Sequence, residues 1–255
     1  MRERERERER NLHKFRFNVY SQNGEDGVIL EILKRSFRNK QINSVEFGSG
    51  VIEKNSNTFN LIKNNKIKNA VFIEADLNTF IKLDKLKKKY PEIVPINAKV
   101  EFQKNSQSTI DNILIKNNII NDIDIMSIDI DSYDLDVFRS IEIYHPKLLI
   151  IEGGKQKYKV LSEHLIDKNL NSFSSIFNEV SKKYYLIFYN GNLFFLNKNF
   201  FSKDHILLNY FIDDELHYLL HCLYYNYFKY GFLKKKIINL LSKNKYILKL
   251  LINYK

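Results

Sequence analysis

Between residues 42 and 74 the chain spells a strand, a glycine turn, a helix and a second strand, an order that few folds accept. Ile42-Asn43-Ser44-Val45-Glu46-Phe47 is a short apolar strand running straight into Gly48-Ser49-Gly50. Asn57-Thr58 then open an amphipathic run from Phe59 to Ile67, and a second strand, Ala70-Val71-Phe72-Ile73, ends in Glu74. A β-turn-α-β unit with an acid at the tip of its second strand is the layout that holds a nucleoside. Glycine lets the backbone come close to the ligand, and a carboxylate can take both ribose hydroxyls. The third glycine of a dinucleotide fingerprint is missing, because Glu53 stands in its place. Glu46 and Glu53 beside the turn give a pyrophosphate nothing and favour a cation. S-adenosylmethionine (SAM) carries a sulfonium and an ammonium group, so it suits the turn better than NAD.

The rest of the chain repeats the alternation. A helix with Val28, Ile29, Ile32 and Leu33 on one face precedes the first strand. After Glu74 come a Lys-rich helix near 78–89, a strand Ile93–Ala98, and a helix near 106–117. A strand from Ile123 to Ile130 and a helix near 134–143 follow. Leu148–Glu152 is the fifth strand, and a helix near 173–183 leads to a hairpin of Tyr184–Tyr189 and Leu193–Leu196 around Asn190-Gly191. Strands alternating with helices predict a doubly wound, mostly parallel α/β sheet. The terminal hairpin requires one antiparallel strand, which NAD-binding Rossmann domains lack and class I methyltransferase-like Rossmann folds have.

At this point the chain resembles the FkbM-like SAM-dependent methyltransferases over residues 19–198. The resemblance rests on Ser21-Gln22-Asn23-Gly24-Glu25-Asp26-Gly27, Val45 to Gly50, Asn57-Thr58, Phe72-Ile73-Glu74-Ala75-Asp76 and Asn97-Ala98. It continues through Met126 to Asp134, Ile150-Ile151-Glu152 and Gly191-Asn192-Leu193-Phe194-Phe195, in that order. A glycine commonly follows the second acid after strand four in this family; here Ser132 stands there. The resemblance implies O-methylation of hydroxyls on sugars or other small molecules. It also implies that Ser21 and Gln22 lie near the cofactor and cover its pocket; the residues alone read equally as a polar helix entry.

The remaining candidates follow from position and chemistry. Gly48 and Gly50 would form the turn under the methionine part of SAM, and Glu46 would face its ammonium group or stand as a plain strand-end acid. Asn57 and Thr58 would meet the SAM carboxylate or cap the next helix. Glu74 would hold the ribose, and Asn97 and Ala98 would border the adenine or simply pack in the loop. A strand's period of two sends Asp129 and Asp131 to one side. Two carboxylates together at a strand end require a cation, a proton or a metal between them. Asp131 is the first choice for the base that takes the acceptor's proton, with Glu152 its partner and Asp129 nearer SAM. Asp134 reads as a candidate or as a helix cap, His164 as a further base, and His145 as structural. If a divalent ion such as Mg²⁺ takes part, Asp129, Asp131 and Glu152 are its ligands. The alternative function is a metal-dependent glycosyltransferase using Asp129-Ile130-Asp131 as a DxD motif. A haloacid-type phosphatase would want that pair after its first strand. A non-enzymatic scaffold or membrane-associated protein that keeps an old fold is the third class.

Residues 1–18, with alternating Arg and Glu over 2–10, read as a disordered or tag-like tail with no apolar face to bury. Residues 19–200 form the methyltransferase domain, and 201–255 a basic, aromatic helical extension. That extension suits packing on the core or on a second copy in a homodimer. Failing that, it suits peripheral contact with an anionic membrane. The net charge of +11 comes with a Lys-, Asn-, Ile- and Tyr-rich composition and no tryptophan, so charge alone does not argue for nucleic acid. The single cysteine, Cys222, excludes an internal disulfide. No apolar run reaches the roughly 18 residues that span a bilayer. With no secretory signal visible, the expected location is the cytoplasm, with membrane-peripheral contact as the variant.

Overall fold

Strands β1 (Ile42–Phe47), β2 (Ile67–Glu74), β3 (Ile93–Asn97), β4 (Ile125–Ile128) and β5 (Leu148–Glu152) are parallel neighbours in the order β3-β2-β1-β4-β5. The computed structural model describes residues 10–38, 40–48, 50–119, 122–130, 133–153 and 173–210, all within the unit Met1–Ile212. The hairpin β6 (Tyr184–Tyr189) and β7 (Asn192–Asn197) completes a seven-stranded sheet. Strand β7 lies antiparallel between β5 and β6, as the terminal hairpin predicted. Helices α1 (Glu25–Ser36), α2 (Ile52–Asn55), α3 (Phe59–Lys63), α4 (Leu77–Leu86), α5 (Ile110–Lys116), α6 (Asp134–Ser140), α7 (Phe173–Val180) and α8 (Lys203–Asn209) fill the connections and flank the sheet.

Sequence dictates these elements locally. In α1, acids Glu25 and Asp26 occupy the first turn and Lys34 and Arg35 the last, which suits the helix dipole. Val28, Ile29, Ile32 and Leu33 bury one face. Strands β4 and β7 are buried at every residue, the composition of strands covered on both faces. The order of the strands reverses between the parallel neighbours β1 and β4: β1 leads outward to β2 and β3, whereas β4 begins the other half. Ligands of doubly wound sheets bind beyond the strand C-termini at such a switch point. Here that places the ends of β1 and β4 side by side.

Several boundaries move for physical reasons. The helix expected to run to Ile67 stops at Lys63, and Asn65 takes φ +53°, freeing Ile67 to start β2. The helix expected from 106 begins at Ile110, where Thr109 accepts from the Asn112 N–H. Strand four was expected to reach Ile130. It ends at Ile128 because the Asp134 carboxylate accepts the Ile130 N–H at 2.9 Å and turns the chain.

The assignment of a tail through residue 18 meets an ordered segment: Leu12–Phe15 forms a 3-10 turn and Leu12 is buried in the core. Gly27 of α1 touches this segment so closely that an added Cβ would lie 1.9 Å from the Phe15 carbonyl oxygen. Gly27→Ala should therefore lower stability by about 1–3 kcal/mol. An unchanged urea midpoint in the variant would show that residues 12–17 do not pack there.

Candidate active site

Gly48 follows β1 at the switch point. It takes φ +86°, and an added Cβ would sit 1.4 Å from the Asp129 carbonyl oxygen, so only glycine lets the two strand ends meet. The Asp129 N–H donates to the Phe47 carbonyl at 3.3 Å and closes the same contact. Gly50, at φ +57°, faces open space where a Cβ would point. A backbone turn with room directly above it is what a ligand's methionine portion needs. The residues fit the cofactor on that count.

Glu46 lies two residues before the turn, but its carboxylate is turned inward and 2% exposed. It accepts the Ser56 hydroxyl at 2.7 Å, the Asn57 N–H at 2.8 Å, the Thr58 N–H at 2.9 Å and the Thr58 hydroxyl. The carboxylate expected to face the ligand's ammonium group therefore holds the 56–58 segment inside the protein. Asn57 and Thr58 are committed likewise. The Asn57 amide donates to the Ser127 hydroxyl at 3.0 Å, and the Thr58 hydroxyl is held by Glu46 rather than capping α3. The cap is Ser56, whose hydroxyl accepts the Phe59 N–H at 2.9 Å and the Thr58 N–H at 3.1 Å. Ser56 and Ser127 escaped the sequence reading. The Ser-x-x-Phe spacing at a helix start could have flagged the first, whereas nothing local marks the second.

At the tip of β2, Glu74 is half-buried and pairs in register with Asn97 of β3. One carboxylate oxygen accepts the Asp76 N–H at 2.8 Å; the other has no hydrogen bond among the described residues. The Asn97 amide donates to the Glu74 carbonyl at 2.8 Å, and the Ala98 N–H donates to the same carbonyl at 3.1 Å. Glu74, Asn97 and Ala98 thus come together, with a carboxylate oriented by the Asp76 N–H. Nearby in sequence, Phe102 stacks on Tyr133, their ring centroids 4.8 Å apart, joining the loop after β3 to the one after β4.

Asp129 stands one register step beyond Ile128, and Glu152 one beyond Ile151, on adjacent strands whose last pair is Ile128 with Ile151. Both are half-buried at the same level of the sheet edge as Gly48. Asp134 is buried and serves the Ile130 turn. Asp131, Ser132 and His164 lie outside the described residues. Among the described residues no group of three His, Cys, Asp or Glu side chains is arranged to hold a metal. His145 precedes β5 at its far end, and burial with the nearby Lys183 charge lowers its pKa.

The Ser21–Gly27 segment forms a wall beside this edge. Asp26 accepts the N–H groups of Val19, Tyr20 and Ser21 at 2.7–2.9 Å and the Ser21 hydroxyl at 2.8 Å, so Ser21 is buried and Gln22 exposed. The buried Glu25 accepts the Asn23 N–H at 2.6 Å and the Asn192 amide at 3.1 Å. The Asn190 amide donates to the Asn23 carbonyl at 3.0 Å. The wall is therefore tied to the tip of the β6–β7 hairpin.

A sheet ordered β3-β2-β1-β4-β5-β7-β6, with a glycine turn at its switch point and an acid at the β2 tip, is that of a class I methyltransferase-like Rossmann domain. The chain belongs to the FkbM family of SAM-dependent methyltransferases: the Methyltransferase FkbM domain matches residues 13–185. Among solved structures, it is similar to M. capricolum TrmK bound to S-adenosyl-homocysteine, at 16% identity and TM-score 0.41, covering 84% of this chain and 88% of that one. It is also similar to the CurJ carbon methyltransferase (9% identity, TM-score 0.45), over 68% of this chain and 52% of that one. The citrinin polyketide synthase CMeT domain matches at 14% identity and TM-score 0.44, over 68% of this chain and 50% of that one. No curated protein matches the chain.

Burial pushes the Glu46 pKa above its ordinary 4.5, against the hydrogen bonds from Thr58, Asn57 and Ser56 that pull it down. A folded pKa above the unfolded one means that folding takes up a proton here as pH falls. Glu46 then contributes most to stability in acid and less as pH rises through its folded pKa. The Tm advantage of wild type over Glu46→Gln should widen as pH falls from neutral towards 4.5. An advantage that shrinks over that range would mean the hydrogen bonds outweigh burial and the group stays ionised.

Proposed function

We propose that this methyltransferase transfers a methyl group to a hydroxyl oxygen of a sugar or glycan precursor. The observation that carries the reading is the pair of half-buried carboxylates, Asp129 and Glu152, on adjacent strand ends level with the glycine turn. The bound cofactor supplies a methyl group on a cationic sulfur. The Gly48–Gly50 turn would carry its methionine half, Glu74 its ribose, and Asn97 and Ala98 the edge of its adenine. Asp129 would stand nearest the positive sulfur.

Transfer to oxygen requires the donor carbon and the acceptor oxygen in line, which a walled crevice supplies by restricting both. A sugar hydroxyl must also lose its proton, and a positioned carboxylate base contributes about 10²–10⁴-fold. Asp131 is assigned that role, with Glu152 holding the acceptor hydroxyl or sharing the proton, and His164 the further candidate. If a divalent cation takes part, Asp129, Asp131 and Glu152 offer the oxygen donors that a hard ion such as Mg²⁺ takes. The glycosyltransferase alternative leaves the glycine turn and Glu74 unused, and membership of the methyltransferase family sets it aside.

Glu74→Ala should weaken SAM binding in calorimetry about 10–100-fold, the worth of hydrogen bonds to a charged group. Unchanged affinity would remove Glu74 from the ribose. Asp131→Asn should keep SAM affinity and lose about 10²-fold or more in methyl transfer to sugar-containing acceptors. Methyl transfer from labelled SAM to carbon or amine acceptors, with none to hydroxyls, would sink the proposed chemistry.

A further inference from the structure

Helix α4 sits on the sheet through Leu83, which is buried, yet its opposite side is not polar. Leu77 and Ile81, one turn apart, are 58% and 43% exposed. Across a cavity of about 190 Å³ from α4 stands Val51, itself 41% exposed. Gly50 of the glycine turn lines that cavity with Val51, Ile52, Leu83 and Leu86, so it lies on the Leu83 side of α4 and not under Leu77 and Ile81. Scattered single apolar residues on a surface need no explanation, but Leu77 and Ile81 are neighbours on one exposed stripe of α4.

The same face is cationic. Lys82, Lys85, Lys87, Lys88 and Lys89 are exposed along α4 and just past its end, with Asp84 the one acid among them. Beside them the Lys63 ammonium donates to the Tyr90 hydroxyl at 2.7 Å, and Lys63 and Lys89 lie 4.9 and 5.3 Å from the Tyr90 ring centroid. Among the described residues none of these lysines is in an ion pair with an acid. Helical spacing carries the stripe from Leu77 and Ile81 on to Lys85 and Lys88.

We propose that this face of α4 docks on an anionic lipid surface. The lysines meet the phosphate headgroups while Leu77 and Ile81 enter the headgroup boundary, the arrangement of an interfacial amphipathic helix. Nucleic acid would use the lysines and leave the leucine and isoleucine in water, so lipid accounts for both halves of the surface. The proposal is independent of the methyl acceptor.

The test is sedimentation of the full chain with vesicles of phosphatidylcholine alone or mixed with phosphatidylglycerol, at low and high salt. Binding is expected to the anionic vesicles and not the neutral ones, and to weaken as salt screens the lysines. The double variants Leu77→Ser/Ile81→Ser and Lys85→Glu/Lys88→Glu should each lower partitioning about fivefold or more. The same variants should keep wild-type circular dichroism and SAM affinity. The lysines of residues 221–255 are present in every variant, so only the α4 contribution changes. Equal binding by wild type and variants, or no preference for anionic vesicles, overturns the proposal. So does a dimer in light scattering that the Leu77→Ser/Ile81→Ser pair dissolves while vesicle binding stays unchanged.

Discussion

A single buried carboxylate, Glu46, decides how the switch point is built. Its oxygens gather the Ser56 hydroxyl, the Asn57 and Thr58 amides and the Thr58 hydroxyl, and Asn57 reaches on to Ser127 of β4. Glu46 lies one residue before the end of β1 and catches the chain again at Ser56, so the Gly48–Gly50 turn between them is held at both ends. An acid this deeply buried is costly unless its lone pairs are filled, and donors to a charged acceptor are the strong kind. Removing Glu46 would leave the donors of 56–58 unsatisfied, and the turn would lose its second anchor.

The same device recurs around the sheet. Asp26 folds 19–21 onto the start of α1, and Asp111 of α5 accepts the N–H groups of Glu142, Ile143 and Tyr144. Asp134 shapes the turn after β4, and Glu25 ties the wall to the hairpin. In each case a carboxylate takes backbone amides that would otherwise be orphaned in a tight connection. These acids are architecture. Glu74, Asp129 and Glu152 stand instead at or just past strand ends and are only half-buried. Burial thus separates the two sets of acids more cleanly than their spacing does.

Much of this was legible in the residue order because its signals are local. The alternation of apolar strands with amphipathic helices needs no partner to be read, and neither does a glycine turn that only two glycines permit. The hairpin around Asn190-Gly191 announced the antiparallel strand, and Glu74 at a strand tip needed only its position. The strand-end acids were harder. A period of two assumes that the strand continues, and Asp134 stopped it at Ile128.

By itself, then, the sequence determined the succession of elements, the turn at Gly48 and the chemistry available at each strand end. The tertiary structure alone decided which strands became neighbours and which acids were buried. It also decided that Gly48 must be glycine because Asp129 of a distant strand lies against it. The reason is range. Periodicity and turn preference act within a few residues, whereas a buried carboxylate is satisfied by whatever donors the fold brings to it, as Ser56 and Thr58 are brought to Glu46.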